Sequence, residues 1–206
     1  MKTIVLQGDS ITDANRNPQF PESSGNGYAT MVKGWLGCEY PGQYHCYNRG
    51  IAGNRIGDLY ARIREDIINL KPDIVSLLIG VNDVWHEIME KNGIREDLFE
   101  TIYDLLITEL KTAMPDLRIM IMEPFVLKGS ATNPNWDVFY TEVRKRADRA
   151  REIARKYGLA FVSLQAQFEE ATKKAPDDHW LKDGVHPTLA GHELIKKEWI
   201  KAFGAL

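Results

Sequence analysis

Thr3-Ile4-Val5-Leu6-Gln7-Gly8-Asp9-Ser10 decides how the rest of the chain is read. A short run containing Ile and Val stops at turn-forming residues, the pattern of a buried β-strand that ends in polar groups. Tyr44–Asn48, Ile74–Ile79, Arg118–Met122 and Ala160–Leu164 repeat it, giving five candidate strands. Segments of helical spacing lie between them. Ile56, Leu59, Ile63, Ile67 and Leu70 form one apolar stripe, and Leu98, Ile102, Leu105 and Leu110 a second. Val143, Ala147, Ala150, Ala154 and Tyr157 form a third, with Arg and Lys opposite. A last helix runs from about Leu189 to Phe203, with Ile195, Trp199 and Phe203 recurring every fourth position. Such alternation predicts an α/β fold in which helices cover both faces of a five-stranded parallel sheet. Ligands bind beyond the carboxyl ends of such strands, where strand order switches.

Composition narrows the classes. The 206 residues suit one domain spanning 1–206. A chain of that size hides roughly 70% of its unfolded surface. Hydrophobic residues make up 44% and charged residues 27%, which excludes a disordered or coiled-coil chain. A net charge of −3 supplies no basic field for nucleic acid or an anionic membrane. Cys38 and Cys46 are too few for a disulfide framework and have no metal-site spacing, so they read as thiols of a reducing compartment. Met1-Lys2-Thr3 leads into only four residues before Gly8, too few for a signal peptide, and no run approaches a membrane span. A cytoplasmic protein is expected. Two polar loops, Asp13–Asn26 and Lys128–Asn135, exceed what a plain connection needs and are candidate site walls.

Polar clusters follow the strands. Gly8-Asp9-Ser10 follows the first, Asn48-Arg49-Gly50-Ile51-Ala52-Gly53-Asn54 the second and Gly80-Val81-Asn82-Asp83 the third, while Asp183-Gly184-Val185-His186-Pro187 precedes the last helix. A serine hydroxyl becomes a useful nucleophile when an imidazole takes its proton, and the imidazole needs a carboxylate to fix its tautomer. Asp183 and His186, three positions apart on a turn, can meet locally. Attack on an ester builds charge on the carbonyl oxygen, which requires donors already in place. The N–H groups of Ser10 and Gly53 and the Asn82 amide are suitable in kind, and a glycine at 53 lets the backbone approach closely.

Together these blocks resemble the SGNH (GDSL-type) hydrolases, named for a Ser, a Gly, an Asn and a His in four ordered blocks, matched here by Ser10, Gly53, Asn82 and His186, with Asp183 in the family's Asp-x-x-His pattern. The resemblance runs from the first strand to the last helix. It implies a flavodoxin-like three-layer sandwich and an ester hydrolase working through an acyl-enzyme. Ser10 is then the nucleophile, His186 the base, Asp183 its orienter, and Ser10, Gly53 and Asn82 the oxyanion hole. Ile11 stands where the family name has leucine. The longer matches at 8–13, 48–55 and 184–192 are most similar to the acetylxylan esterase branch, which implies an acetylated saccharide as substrate and no cofactor. A homo-oligomer is compatible with that branch.

Other readings stand beside these. Asp9 and Ser10 can cap a helix, Gly50 and Gly53 can be turn glycines, and Asn82 and Asp83 can brace a loop. Trp85 and Trp180 are candidate walls for a sugar ring, or core residues. His45, His86, His179 and His192 read as structural or surface residues, with His86 and His179 able to edge the pocket. The same machinery could serve a lysophospholipase or thioesterase, which would need a long apolar channel. A flavodoxin-like binding module lacks its phosphate fingerprint here, and a metal-dependent hydrolase using His86, His179, Asp183 and His186 lacks a His-Glu-x-x-His helix.

Overall fold

The computed structural model describes residues 1–206 and places the opening segment inside a five-stranded sheet. Its strands are β1 (Lys2–Gly8), β2 (Tyr44–Asn48), β3 (Ile74–Leu78), β4 (Arg118–Met122) and β5 (Ala160–Val162). They are parallel throughout, in the order β2-β1-β3-β4-β5. This is flavodoxin-like order, with the switch beside β1. The helices are α1 (Ser10–Asp13), α2 (Tyr28–Glu39), α3 (Ile56–Ala61), α4 (Ile63–Asp66), α5 (Val81–Glu90), α6 (Glu96–Ala113), α7 (Trp136–Tyr157), α8 (Gln165–Thr172), α9 (Asp177–Trp180) and α10 (Leu189–Phe203). None is long and apolar enough to cross a membrane.

Because successive strand residues face opposite ways, each strand feeds two cores. Ile4, Leu6, Ile74, Leu78, Met120 and Met122 pack with Val32 and Leu36 of α2 and Ile195 and Trp199 of α10. Val5, Val75, Leu77, Ile119 and Ile121 pack with Leu59 of α3, Tyr103 and Ile107 of α6, and Ala150 and Ile153 of α7. With both faces covered, strands read as apolar runs rather than alternations.

Two helical stripes differ from expectation. Leu98 and Leu105 are 41% and 46% exposed, and α6 instead buries Phe99, Tyr103, Leu106, Ile107 and Leu110. That face keeps the helical period with two large aromatics, while the Leu98 row lies about one residue, or roughly 100°, around the helix from it. The stripe from Ile56 to Leu70 is also not one helix. It breaks at Arg62, whose guanidinium is pinned by Asn54 Oδ1 (2.8 Å), the Arg49 carbonyl (3.0 Å), Gln7 Oε1 (3.1 Å) and Asp66, and it ends in a 3₁₀ turn at Ile68–Leu70.

Register sets the position of the polar blocks. Leu6 pairs with Asn48, and Gly8 with Leu78. The residues following β1, β2 and β3 therefore leave the sheet along one edge.

Candidate active site

Asp9 caps α1, accepting the Ile11 N–H at 2.9 Å. Ser10 is the first residue of that helix, so its own N–H has no intrahelical acceptor. The Ser10 hydroxyl lies 3.0 Å from His186 Nε2, across 176 positions of sequence. On the other side of the ring, Nδ1 meets Asp183 Oδ2 at 2.7 Å. Asp183 Oδ1 accepts the backbone N–H groups of Val185 (2.9 Å) and His186 (2.8 Å). With Nδ1–H committed to the carboxylate, Nε2 is left to accept the serine proton.

Charge follows this geometry. Burial alone would raise the Asp183 carboxyl, yet the hydrogen bonds from the His186 ring and from two backbone N–H groups together outweigh it and hold it at about 2. His186 is pushed above its ordinary 6.5, chiefly by the hydrogen bond to Asp183 and against partial burial.

The turn holding this pair is braced from behind. Gly184 sits at φ +96°, accepting the Leu127 N–H at 2.9 Å, and the Asp183 carbonyl accepts the Ala131 N–H at 2.9 Å. Thr132 Oγ1 closes the bracing loop on the Leu127 carbonyl at 2.7 Å. A Cβ on Gly129 would run into the backbone of Asp183 and Gly184. The 128–135 loop thus supports the turn and lines neither cavity around Ser10. The 13–26 loop does form a wall, through Asp13, Ala14, Asn15 and Asn26. Asn48 ties this wall to the second block. Its amide donates to the Thr12 (2.6 Å) and Ser24 (2.9 Å) carbonyls, and its Oδ1 accepts the Gly50 N–H at 2.9 Å.

The donors expected from the sequence gather beside Ser10. Gly53 has φ +82°, and a Cβ there would find only His86 Cε1, 3.9 Å away, so glycine answers to conformation and not to crowding. Asn82, in the first turn of α5, is buried and donates one amide hydrogen to the Asn54 carbonyl at 3.1 Å. That bond orients the amide and leaves its second hydrogen uncommitted. The neighbouring Asp83 carboxylate accepts the Ile56 N–H at 3.1 Å, joining the second and third blocks, and complete burial pushes its pKa up to about 7. Asp9 is likewise raised to about 7 by burial.

Two cavities meet at Ser10, Ala52 and His186. One, of about 700 Å³, is polar, with Asp13, Asn15, Asn26, Lys182, Thr188 and His192 in its walls. The other, of about 350 Å³, holds Gly53, Asn82, Trp85, His86 and Met89. A larger groove elsewhere on the surface, about 1010 Å³, is lined by charges such as Arg149 and Glu96, which pair with each other, and contains none of the candidate site residues.

Trp85 lies where a pocket wall was expected, its ring 5.7 Å from that of His186. Trp180 departs from that expectation. It lines neither cavity, donates its indole N–H to the Ala175 carbonyl at 3.2 Å and packs against the core. Its neighbour His179 lies edge-on to it and lines neither cavity, so of the two histidines able to edge the pocket only His86 does. No group of three or more His, Cys, Asp or Glu side chains is arranged to hold a metal ion. His192, read as structural from the sequence, stands in the polar cavity. Its signal was its place in the stretch 184–192, one helical turn into α10.

Comparison with known proteins places the chain in a family. Residues 6–194 match the model of the GDSL-like lipase/acylhydrolase family, and the chain belongs to that family. It is, in class, a hydrolytic enzyme acting on carboxylic esters. The chain is 34% identical to an acetylxylan esterase of Geobacillus stearothermophilus over 98% of its own length and 93% of the relative's. Solved structures of an acetylxylan esterase from that organism superpose with a TM-score of 0.88 at 32% identity, covering 98% of this chain and 94% of the other. In that esterase, alanine variants at a serine, an aspartate and a histidine are described as catalytic mutants. A GDSL-like protein of Parabacteroides merdae superposes with a TM-score of 0.94 at 33% identity, covering 100% and 96% of the two chains.

Proposed function

We propose that the protein is a serine esterase that removes acetyl groups from hydroxyls of carbohydrates. Ser10 Oγ adds to the ester carbonyl carbon while His186 Nε2 takes its proton. The carbonyl oxygen becomes an oxyanion facing the Ser10 and Gly53 N–H groups and the free amide hydrogen of Asn82. Collapse of this intermediate expels the sugar alcohol, which receives the proton from His186, and leaves acetyl-Ser10. Water, deprotonated by the same ring, then attacks the acyl-enzyme and releases acetate.

The observation that carries this reading is the hydrogen-bonded line Ser10–His186–Asp183 at the junction of the two cavities. Support for the sugar half comes from the polar walls of the larger cavity and from the acetylxylan esterase relative. The test has two parts. Intact-mass analysis after a serine-directed sulfonyl fluoride should give one adduct, absent from Ser10→Ala. Acetylated xylo-oligosaccharides and p-nitrophenyl acetate should be turned over in preference to octanoyl and longer esters. Turnover confined to the long-chain esters would point instead to a lysophospholipase-like enzyme.

A further inference from the structure

The start of α2 carries a contact that a helix cap alone does not explain. Its N-cap residue is Gly27, which has no side chain to offer, and the Tyr28 N–H donates instead to His192 Nδ1 at 3.2 Å. A backbone N–H can only donate, so Nδ1 is the unprotonated nitrogen and the proton of the neutral ring sits on Nε2. Charging the ring would set N–H against N–H. Burial, followed by the positive charges of Lys182 and His186, accordingly pushes His192 down to about 4. The ring is held firmly, since a Cβ at Gly27 would come within 2.6 Å of its Cε1. Nε2 has no protein partner, yet it is not among the polar atoms sealed from solvent, and the ring lines the polar cavity that contains Ser10 and His186.

We propose that His192 contacts the substrate, its Nε2–H donating to an oxygen of the sugar alcohol while Ser10 and His186 act on the ester. A fixed donor of unchanging charge suits a hydroxyl or ring oxygen, which accepts a hydrogen bond at any pH. Leu189, 70% exposed at the same cavity, offers an apolar surface for the C–H face of the ring. The contact rests on the esterase reading and adds a determinant of selectivity for sugar alcohols over simple ones.

Two substitutions separate contact from capping. His192→Asn places Oδ1 near the position of Nδ1, keeping the acceptor for Tyr28 N–H while removing the Nε2 donor. His192→Gln does the reverse. The readout is the ratio of kcat/KM on an acetylated xylo-oligosaccharide to that on p-nitrophenyl acetate, whose alcohol has no sugar oxygens. The Asn variant should lower this ratio about 3- to 10-fold through the sugar KM, the worth of one neutral hydrogen bond. The Gln variant should bring the ratio back toward wild type even if it melts at a lower temperature. An unchanged ratio in His192→Asn, including equal losses on both substrates, would reduce His192 to a helix cap and overturn the inference. Wild-type enzyme that cleaves p-nitrophenyl acetate but no acetylated sugar would instead remove the sugar reading itself.

Discussion

Asp183 grips His186 at both backbone and ring: one carboxylate oxygen accepts the residue's N–H at 2.8 Å and the other meets ring Nδ1 at 2.7 Å. The turn and the imidazole are thus positioned by a single side chain. The same bond raises the His186 pKa above 6.5. A general base must be neutral, so kcat/KM should climb with pH through that raised value and flatten above it. Asp183→Asn keeps an acceptor for the backbone but removes the charge. The acid limb of the profile should then move to lower pH, while kcat drops by about 10⁴-fold as the wrong tautomer is favoured. Profiles of kcat and of kcat/KM from about pH 5 to 9 measure the two effects.

Asn82 should matter only as the reaction proceeds. Its amide is held by the Asn54 carbonyl in the cavity that contains Ser10, and in the proposed mechanism its free hydrogen stabilises the developing oxyanion. Asn82→Ala should cost about 10²–10³-fold in kcat, with KM little altered. Steady-state kinetics on p-nitrophenyl acetate would show it, and full activity in the variant would remove Asn82 from the oxyanion hole.

Gly129 lies outside both cavities, yet a methyl group there meets the backbone of Asp183 and Gly184. Gly129→Ala should therefore displace the turn bearing His186 and lower kcat by at least about 10-fold, since a misplacement of about 1 Å can cost 10²-fold. Near-native far-UV circular dichroism beside reduced turnover is the expected result.

The sequence revealed those parts of the architecture that local rules determine. The central strands β1, β3 and β4, covered on both faces, appear as apolar runs, and the edge strands β2 and β5 as short segments rich in aromatic and apolar residues; all five were found, with ends differing by no more than two residues. Ser10, Asp183 and His186 could be picked out as candidates because ester chemistry calls for those residue types, and Gly53 and Asn82 mainly through the order of the four blocks; parallel topology carries the first three blocks to one edge. What stayed hidden depends on contacts between distant segments. Trp180 is three residues before Asp183, but its direction is set by packing around the turn, where its carbonyl accepts the Thr188 N–H at 2.9 Å. The 128–135 loop could be recognised as long but not as a brace, because its partner is the Asp183–Gly184 backbone more than 50 residues on. His192 gains its meaning only when α10 meets the start of α2, 164 positions away.

Asp83 leads to a prediction about stability. In the unfolded chain it loses its proton near the ordinary 3.8, whereas burial in the fold delays this to about 7. Between these values the unfolded state binds fewer protons than the native state, so raising the pH weakens the fold, and above about 7 the penalty is complete. Asp83→Asn cannot ionise but keeps an acceptor for the Ile56 N–H. The variant should therefore gain stability relative to wild type as pH rises from about 4 to 7, with the difference constant beyond that. Asp9, also raised to about 7 by burial, titrates in both proteins, and its negative charge adds to the upward push on Asp83. Thermal melts of the two proteins at matched pH values measure the difference. A gap independent of pH would mean that Asp83 is already ionised in the native state, held by the Ile56 N–H and by the nearby positive charge of Arg146.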